Sequence, residues 1–276
     1  MATRIASGLV GIVIAAYVIQ TGGVLFTAVA TLLALIGWRE YVKAFEHKDL
    51  HLSLFLGFIM VAIIVLSAAL KIPNLGMFPV MVAIILSFLK MVYHHKTFSV
   101  EEACLTLAGV IYIGVPFYHL VALRLWEDST ILAHNSFMGD FSAGCVLIWL
   151  TFIGTWASDT FAYFVGCSIG KHRLCPNISP KKSVEGFIGG IIGTIICMGL
   201  LGTYFGFDLL TMVIMGAIIA SIGTLGDLVE SCFKRYVGIK DSGTLIPGHG
   251  GVLDRFDSLL FTAPLVYYVA IFLLKI

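Results

Sequence analysis

Long apolar stretches separated by short polar segments dominate the hydrophobic pattern of this chain. Runs of about 17 to 25 apolar residues have the length of a membrane-spanning helix. This pattern predicts nine such helices, near residues 5–19, 23–38, 52–70, 74–92, 103–123, 143–166, 187–204, 208–226 and 257–274. The first two segments are short, so the boundary between them is the least defined. The pattern therefore predicts an all-α, polytopic integral membrane protein.

The composition supports the same class. Apolar residues make up 59% of the chain and charged residues 12%, whereas soluble domains have about half and a quarter. A formal net charge of +1 gives no reason to expect nucleic-acid binding, which requires a concentrated basic surface. Ala28-x-Ala30 could pass for a signal-peptide cleavage site, but it lies inside a continuing apolar run. We therefore expect the first helices to be retained.

The distribution of lysine and arginine predicts the orientation in the membrane. With the N-terminus inside, 14 of the 17 basic residues fall in cytoplasmic segments, as the positive-inside rule requires. These residues are Arg4, Arg39, Lys43, Lys48, Lys90, Lys96, Lys171, Arg173, Lys181, Lys182, Lys234, Arg235, Lys240 and Arg255. The count favours an N-in, C-out arrangement with both long polar segments, 167–186 and 227–257, on the cytoplasmic face.

Ionisable residues are sparse in the first four segments. Residues 1–100 are therefore interpreted as a transmembrane scaffold and residues 101–276 as the catalytic region. The six cysteines, at positions 104, 145, 167, 175, 197 and 232, contain no C-x2-C pair. We assign them neither zinc nor a disulfide.

A first polar cluster lies between Ser158 and Gly186. Asp159 stands about seven residues inside the predicted cytoplasmic end of its helix, which is about 10 Å at 1.5 Å per residue. Burying a carboxylate at that depth is costly, so Asp159 indicates a functional site or a structural ion pair with a lysine of another helix. Gly186 with Gly190, and Gly189 with Gly193, have the spacing of closely packed membrane helices.

Ser179 and Pro180, in the same cluster, have the pattern of a helix start, with serine as the N-cap and proline at the first helical position. The free backbone N–H groups of such an end, together with Lys181 and Lys182, would form an anion site. An ordinary capped helix with positive-inside lysines is the alternative. The presence of a second polar cluster favours the anion site.

That second cluster spans residues 227–257. Its last 27 residues alone contain four cations, three carboxylates, a histidine and five glycines, which a lipid-facing segment would not tolerate. The spacing of Asp227, Glu230, Ser231 and Lys234 places them on one helical face.

The end of this cluster combines glycines with carboxylates. Residues 247–251 can turn backbone amides toward an anion. Asp254 and Asp257 stand one turn apart at the start of the last predicted helix. Their oxygens suit Mg²⁺, which usually retains water and shares substrate phosphates. The cluster therefore predicts phosphate binding next to a metal.

The order of residues 231–257 resembles the signature of the phosphatidate cytidylyltransferases: S-x-apolar-K-R-x4-K-D-x-small-x2-apolar-P-x-H-G-G-apolar-x-D-R-apolar-D. The first cluster resembles another motif of that family, and the resemblance covers residues 101–276. It implies the reaction of CTP with phosphatidate to give CDP-diacylglycerol and pyrophosphate, with one or two Mg²⁺ ions. It also implies an enzyme of the plasma membrane with cytoplasmic active-site loops, and it is compatible with a homodimer.

Carried over by motif, the resemblance assigns roles to residues of both clusters. The metal-binding carboxylates would be Asp227 and Asp254, with Asp159 nearby and Asp257 as a further candidate. The phosphate-facing cations would be Lys181, Lys182, Lys234, Arg235, Lys240 and Arg255. Asp241 and His249 complete the expected catalytic set. The expected substrate-binding residues are Ser158, Asp159, Lys171, Ser179, Lys181, Glu185, Ser231, Gly250 and Gly251.

The chain departs from the family pattern at three positions. The first motif of the family usually reads Ser-Asp-x-Gly-Ala-Tyr-x-x-Gly-Arg, whereas this chain has Phe161 for the glycine and Cys167 for the arginine. Val184 replaces a usual tryptophan. If the missing arginine contacts substrate, its role is vacant or supplied from elsewhere, with Arg173 as a candidate. We expect these changes to affect rate or specificity more than the reaction.

The expected chemistry needs no protein base. A phosphate monoester has its second pKa near 6, so phosphatidate is already nucleophilic at neutral pH. The protein must reduce repulsion between two polyanions, by positioning and by electrostatics.

Two other functions remain open at this point. A CTP-dependent lipid kinase would release CDP instead of pyrophosphate. A cation- or proton-coupled transporter would use Asp159 and Asp227 as coupling carboxylates.

Overall fold

The computed structural model describes residues 2–70, 75–126, 131–135, 139–245 and 250–274. Within these ranges the chain forms nine α-helices: α1 (Ala2–Thr21), α2 (Gly23–Glu46), α3 (Leu54–Leu70), α4 (Met77–Tyr93), α5 (Val100–Arg124), α6 (Ala143–Ile169), α7 (Val184–Tyr204), α8 (Leu209–Val237) and α9 (Leu253–Val269). A π-helical segment, Ala270–Leu274, continues α9.

Six of these helices are long and apolar enough to cross a membrane. They are α2, α5, α6, α7, α8 and α9 with its π-helical extension. Three shorter apolar helices accompany them: Gly8–Thr21, Leu54–Leu70 and Met77–Tyr93. Each predicted apolar segment overlaps one observed helix, so the prediction of an all-α polytopic membrane protein is confirmed.

Local chemistry sets several of the helix ends. The start of α5 is a capping box, in which Ser99 Oγ accepts the Glu102 N–H at 3.1 Å and a Glu102 carboxylate oxygen accepts the Ser99 N–H at 2.6 Å. Helix α1 ends before Gly22, whose φ of 64° is in the left-handed region. The Arg124 guanidinium donates to the Ile19 and Gln20 carbonyls at 2.6 and 3.0 Å, which satisfies C-terminal carbonyls of α1.

Two small antiparallel hairpins, which the hydrophobic pattern did not predict, join the helices. In the first, β1 (Ile131–Asn135) pairs with β2 (Gly139–Ser142). In the second, β3 (Arg173–Cys175) pairs with β4 (Ser179–Ser183). Their strands have three to five residues, too few for a recognisable alternation of polar and apolar positions.

The predicted helix start at Ser179 and Pro180 is wrong. Both residues belong to β4, and α7 begins at Val184 with Ser183 as its N-cap. Ser183 Oγ accepts the Gly186 N–H at 3.1 Å, the bond that defines an N-cap. Pro180 is tolerated because a strand of a two-stranded hairpin has an edge that needs no N–H donor.

The chain divides into two compact units. Unit 1 comprises Met1–Leu125 and Lys234–Phe256, and unit 2 comprises Trp126–Phe233 and Asp257–Ile276. Helices α8 and α9 each contribute residues to both units. The predicted division near residue 100 separates a scaffold from a catalytic region. A division into compact units does not test it, so it stays a prediction.

Unit 1 is built around α2. Trp38, Tyr41 and Phe45 are almost fully buried along this helix. Trp38 Nε1 donates to the Leu54 carbonyl at 2.9 Å, and its ring lies so close to Gly57 of α3 that a methyl group there would overlap it. Large aromatic side chains facing glycines allow close helix packing, which makes α2 a rigid element of this unit.

Unit 2 contains a close pairing of α6 with α7 through glycines. A methyl group at Gly190 would lie 3.0 Å from the Ser158 carbonyl oxygen, and one at Gly186 would lie 2.7 Å from the Ala162 carbonyl oxygen. A methyl group at Gly193 would overlap the ring of Phe161. The small-residue pairs of α7 therefore serve helix packing, as predicted. Gly193 also provides the space for Phe161, the bulky departure from the family pattern.

Candidate active site

A cavity of about 570 Å³ lies in unit 2, between the end of α6, the β3–β4 hairpin and the start of α7. Its charged lining residues are Asp159, Arg173, Lys181 and Lys182. Its other lining residues include Tyr163, Cys167, Pro180, Phe187 and Thr224. The cavity thus combines apolar walls with three cations and one carboxylate, a lining suited to an anionic, amphipathic ligand.

Asp159 lies farther from the end of its helix than the sequence predicted. Helix α6 extends to Ile169, ten residues beyond Asp159, which is about 15 Å at 1.5 Å per residue instead of about 10 Å. The side chain is exposed and borders the cavity. The protein itself therefore does not bury Asp159, because the hairpin and α7 leave an open space at this turn of α6; its depth in the bilayer stays a prediction.

Lys182 of strand β4 lies next to helix α8. Its ammonium group forms an ion pair with the Asp227 carboxylate, and both side chains are about one-third exposed, at 28% and 30%. Lys182 also lines the cavity. This ion pair between strand β4 and helix α8 was not predicted from the sequence, and it lies inside one compact unit.

Asp227 is also close to a second carboxyl group because α8 and α9 cross tightly in unit 2. A methyl group at Gly226 would lie 2.7 Å from the Asp257 carbonyl oxygen, and one at Gly223 would lie 3.3 Å from the Thr262 methyl group. The Asp227 and Glu230 side chains both lie within electrostatic range of the Asp257 side chain, and Glu230 is buried. Three acidic side chains therefore converge where α8 meets α9.

The donor set of this acidic cluster suits a hard divalent cation. Carboxylate oxygens are the ligands that such a cation prefers, and a divalent cation offsets the repulsion between neighbouring carboxylates when it binds. In the part of the chain that the structure describes, no three His, Cys, Asp or Glu side chains stand in ligand geometry for a metal ion. Binding would accordingly require side-chain rotations of Asp227, Glu230 and Asp257.

In unit 1, Asp254 organises the segment that follows α8. Lys234 Nζ lies 2.8 Å from Asp254 Oδ1. Asp254 Oδ2 accepts the Ser242 N–H, the Ser242 hydroxyl and the Gly251 N–H, each at 2.8 Å. These four donors occupy the acceptor sites of one carboxylate. A metal bound to Asp254, as the resemblance implies, would have to replace at least one of them.

The remaining predicted residues of this segment are placed as follows. Arg235, Lys240, Asp241 and Arg255 are exposed, and Ser231 is half-buried on α8. Gly250 has φ of +91°, a left-handed conformation that favours glycine. His249 lies outside the described residues. The Gly251 amide, expected to bind phosphate, donates to Asp254.

The other predicted residues of the first cluster serve the hairpin or the helix pairing. Glu185 accepts the Lys171 N–H at 3.1 Å, the His172 N–H at 3.2 Å and a hydrogen bond with His172 Nδ1 at 2.6 Å. It therefore fixes the turn that leads into β3. Ser158 is buried against α7, and Ser179 begins β4.

Sequence reasoning missed Glu40. The second predicted segment ended at residue 38, whereas α2 continues to Glu46. Glu40 is 7% exposed, and its carboxylate accepts the N–H groups of Val252 and Leu253, each at 3.0 Å. The sequence contained a signal for this residue. Glu40 is an acidic residue close to the end of an apolar run, and an ionisable group that is buried when the helix continues is costly unless it has a partner.

Fold and site together define a polytopic membrane protein with a cationic cavity and a neighbouring acidic cluster. The cytidylyltransferase family matches this chain over residues 2–273, and the chain belongs to that family. It is a nucleotidyltransferase.

Three relatives illustrate the match. A phosphatidate cytidylyltransferase from Synechocystis sp. is 35% identical over 290 residues, covering 99% of this chain and 97% of the relative. Phosphatidate cytidylyltransferases from Staphylococcus saprophyticus and Staphylococcus haemolyticus are 33% and 35% identical over 273 residues, covering 96% of this chain and 97% of each relative. The similarity thus extends through the N-terminal helices, beyond the region that the motifs covered.

Proposed function

We propose that this protein catalyses the transfer of a cytidylyl group from CTP to phosphatidate, giving CDP-diacylglycerol and pyrophosphate. The observation that carries the proposal is the near-full-length similarity to three proteins of that activity. The geometry of unit 2 supports it, because a membrane-embedded helix pair holds a cavity with cations for phosphates and apolar walls for part of a lipid.

The cations of the hairpin would bind phosphate oxygens. Arg173, Lys181 and Lys182 line one cavity, and each can neutralise part of the charge that CTP and phosphatidate bring together. Arg173 lies in the same cavity as Cys167. It can therefore supply the positive charge of the arginine that the family usually has at position 167.

The acidic cluster would hold Mg²⁺, with Asp227 and Asp257 as ligands and Glu230 as a third carboxylate. Bound there, Mg²⁺ would neutralise charge on CTP phosphates and favour departure of pyrophosphate. Lys182 pairs with Asp227 and lines the cavity, which supports a role for this lysine in holding the cluster and in contacting a phosphate from the cavity side. Asp254 remains a ligand implied by the resemblance.

The reaction itself requires little covalent help from the protein. An oxygen of the phosphatidate phosphate attacks the α-phosphorus of CTP, and the bond from that phosphorus to the bridging oxygen of pyrophosphate breaks. The attacking group is largely a dianion at neutral pH, so no protein base is needed. The contribution of the side chains is to align the two phosphates and reduce their repulsion.

The proposed location follows from the charge distribution. The distribution of lysine and arginine along the chain predicts, by the positive-inside rule, that segments 167–186 and 227–257 face the cytosol, where CTP is available. Phosphatidate would enter from the lipid phase, with its phosphate at the headgroup level. The protein would then be an enzyme of the plasma membrane.

A product analysis tests the proposal. Purified protein in detergent is supplied with Mg²⁺, phosphatidate and CTP labelled at either the α- or the γ-phosphorus. Label from the α-position in the lipid, with release of pyrophosphate, is the expected result. Label from the γ-position in the lipid, with release of CDP, would show a CTP-dependent lipid kinase. No transfer of either label would contradict both enzymatic functions and favour the transporter alternative.

A further inference from the structure

Glu40 connects α2 to the beginning of α9 within unit 1. Its two carboxylate oxygens accept separate backbone hydrogen bonds, one from the Val252 N–H and one from the Leu253 N–H, both at 3.0 Å. These amides stand at the N-terminus of α9, where N–H groups lack partners inside the helix and the helix dipole favours a negative charge. A carboxylate of the protein itself thus occupies the anion-binding end of this helix.

Two glycines make this contact sterically possible. A methyl group at Gly243 or at Gly251 would lie 2.5 Å from a Glu40 carboxylate oxygen. Both backbone segments therefore approach the carboxylate more closely than any other residue type would allow. Gly37, one turn before Glu40 on α2, faces the Leu253 side chain, which a methyl group there would meet at 3.2 Å.

The same short segment is held on its other side by Asp254. The Gly251 N–H donates to Asp254, and the next two N–H groups donate to Glu40. Ser242 donates twice to Asp254, whereas its neighbour Gly243 packs on Glu40. Two carboxylates thus fix both ends of the connection between residues 243 and 251.

We propose that Glu40 is a positioning residue for the reaction. Through the backbone of Gly251–Leu253, Glu40 fixes the positions of Asp254 and of its partner Lys234. Helix α2 is suited to this role because Trp38 and Tyr41 lock it in the core of unit 1. Glu40 itself is buried and is not proposed to touch substrate. The inference rests on the proposed function and extends the catalytic machinery into the part of the chain interpreted as scaffold.

Kinetics of the full-length protein test the proposal with Glu40→Gln. The amide NH₂ of glutamine would face a backbone N–H, so one of the two hydrogen bonds is lost and a donor opposes a donor. We expect kcat per folded molecule to fall about 10²-fold, as displaced catalytic geometry does. KM for phosphatidate should change little. Glu46→Gln is the matched control, because Glu46 lies on the same helix and is exposed, and it should behave as wild type.

Hydrogen exchange gives a readout independent of activity. In Glu40→Gln, the amides of residues 251–253 should exchange faster than in wild type, whereas those of α5 should not change. A purely structural role would lower the folded fraction and leave kcat of the folded molecules unchanged, which would overturn the proposal. Wild-type kcat together with wild-type exchange would overturn it as well.

A second variant covers the case in which Glu40→Gln does not fold. Glu40→Asp keeps the charge and retracts it by one methylene group, so it should fold and show a smaller loss of kcat with the same exchange pattern. Full activity of Glu40→Asp with normal exchange would contradict the proposal. Absence of turnover by the wild-type protein would instead count against the proposed function, while the exchange measurement still tests the Glu40 contact.

Discussion

Lys234 Nζ lies 2.8 Å from Asp254 Oδ1, and the side chains are 16% and 6% exposed. The pair joins the last turns of α8 to the first turn of α9, across 20 positions of sequence. Truncating one partner of such a buried pair leaves the other charge uncompensated, which is strongly destabilising. Variants of this pair must therefore preserve size and polarity if activity is to be separated from folding.

Asp227→Asn and Asp254→Asn should each nearly abolish turnover per folded molecule. Asp254→Asn also leaves Lys234 without its charge partner, so the folded fraction in detergent is measured beside the rate. If cation stabilisation supplies about 4 kcal/mol to the transition state, its loss slows the reaction roughly 10³-fold. The check is the rate of CDP-diacylglycerol formation at saturating CTP. Chelation of Mg²⁺ should abolish wild-type activity, and added Mg²⁺ should restore it.

Asp49→Asn is a suitable control for these two variants. Asp49 is exposed and has φ of 56°, a left-handed conformation that asparagine tolerates. It should retain wild-type turnover. Near-normal activity of both Asp227→Asn and Asp254→Asn would eliminate these residues as metal ligands.

Cys167 should be neither a nucleophile nor a metal ligand. Direct attack by the lipid phosphate requires no covalent enzyme intermediate, and Cys167 borders the cavity as an exposed thiol. Cys167→Ser should keep most activity in the same product assay. Cys167→Arg should also be tolerated, because the family usually has arginine there. A folded but inactive serine variant would show that this chain uses a different mechanism.

Gly186→Ala should destabilise the protein. The added methyl group would lie 2.7 Å from the Ala162 carbonyl oxygen and 2.9 Å from Ser183 Oγ, so α7 would have to move away from α6. Overpacking of this kind costs about 1–3 kcal/mol, and the unfolding temperature in detergent should fall accordingly.

Gly11→Ala provides the comparison for this substitution. Gly11 lies in α1, and a methyl group there would have no atom within 4 Å. Alanine favours the helix by up to about 1 kcal/mol over glycine, so the unfolding temperature should stay the same or rise. Equal effects of the two substitutions would contradict close α6–α7 packing.

The predicted topology can be tested with single cysteines in a variant without other cysteines. Thr244→Cys lies in the segment expected in the cytosol, and Asn135→Cys lies in the β1–β2 hairpin expected outside; both positions are exposed. An impermeant thiol reagent should label position 135 in intact cells and position 244 after the membrane is opened. Labelling of position 244 in intact cells would rule out cytosolic CTP as the substrate of this site.

The sequence by itself determined the class of protein and the positions of its helices. A run of apolar residues as long as a bilayer is thick satisfies its backbone hydrogen bonds as a helix, whatever its neighbours are. Each of the nine predicted segments therefore corresponds to an observed helix. The order of residue types in 231–257 also carried enough chemical detail to indicate the family.

The tertiary structure decided how the polar residues are used. Ser183, rather than Ser179, caps α7, because residues 179–183 pair with β3 before the helix begins. Asp159 is exposed because the hairpin and α7 leave a cavity beside α6. Glu40 meets Val252 across 212 positions of sequence. Contacts of this kind depend on which helices pack together and how closely glycines let them approach, and neither hydrophobic period nor motif spacing contains that information.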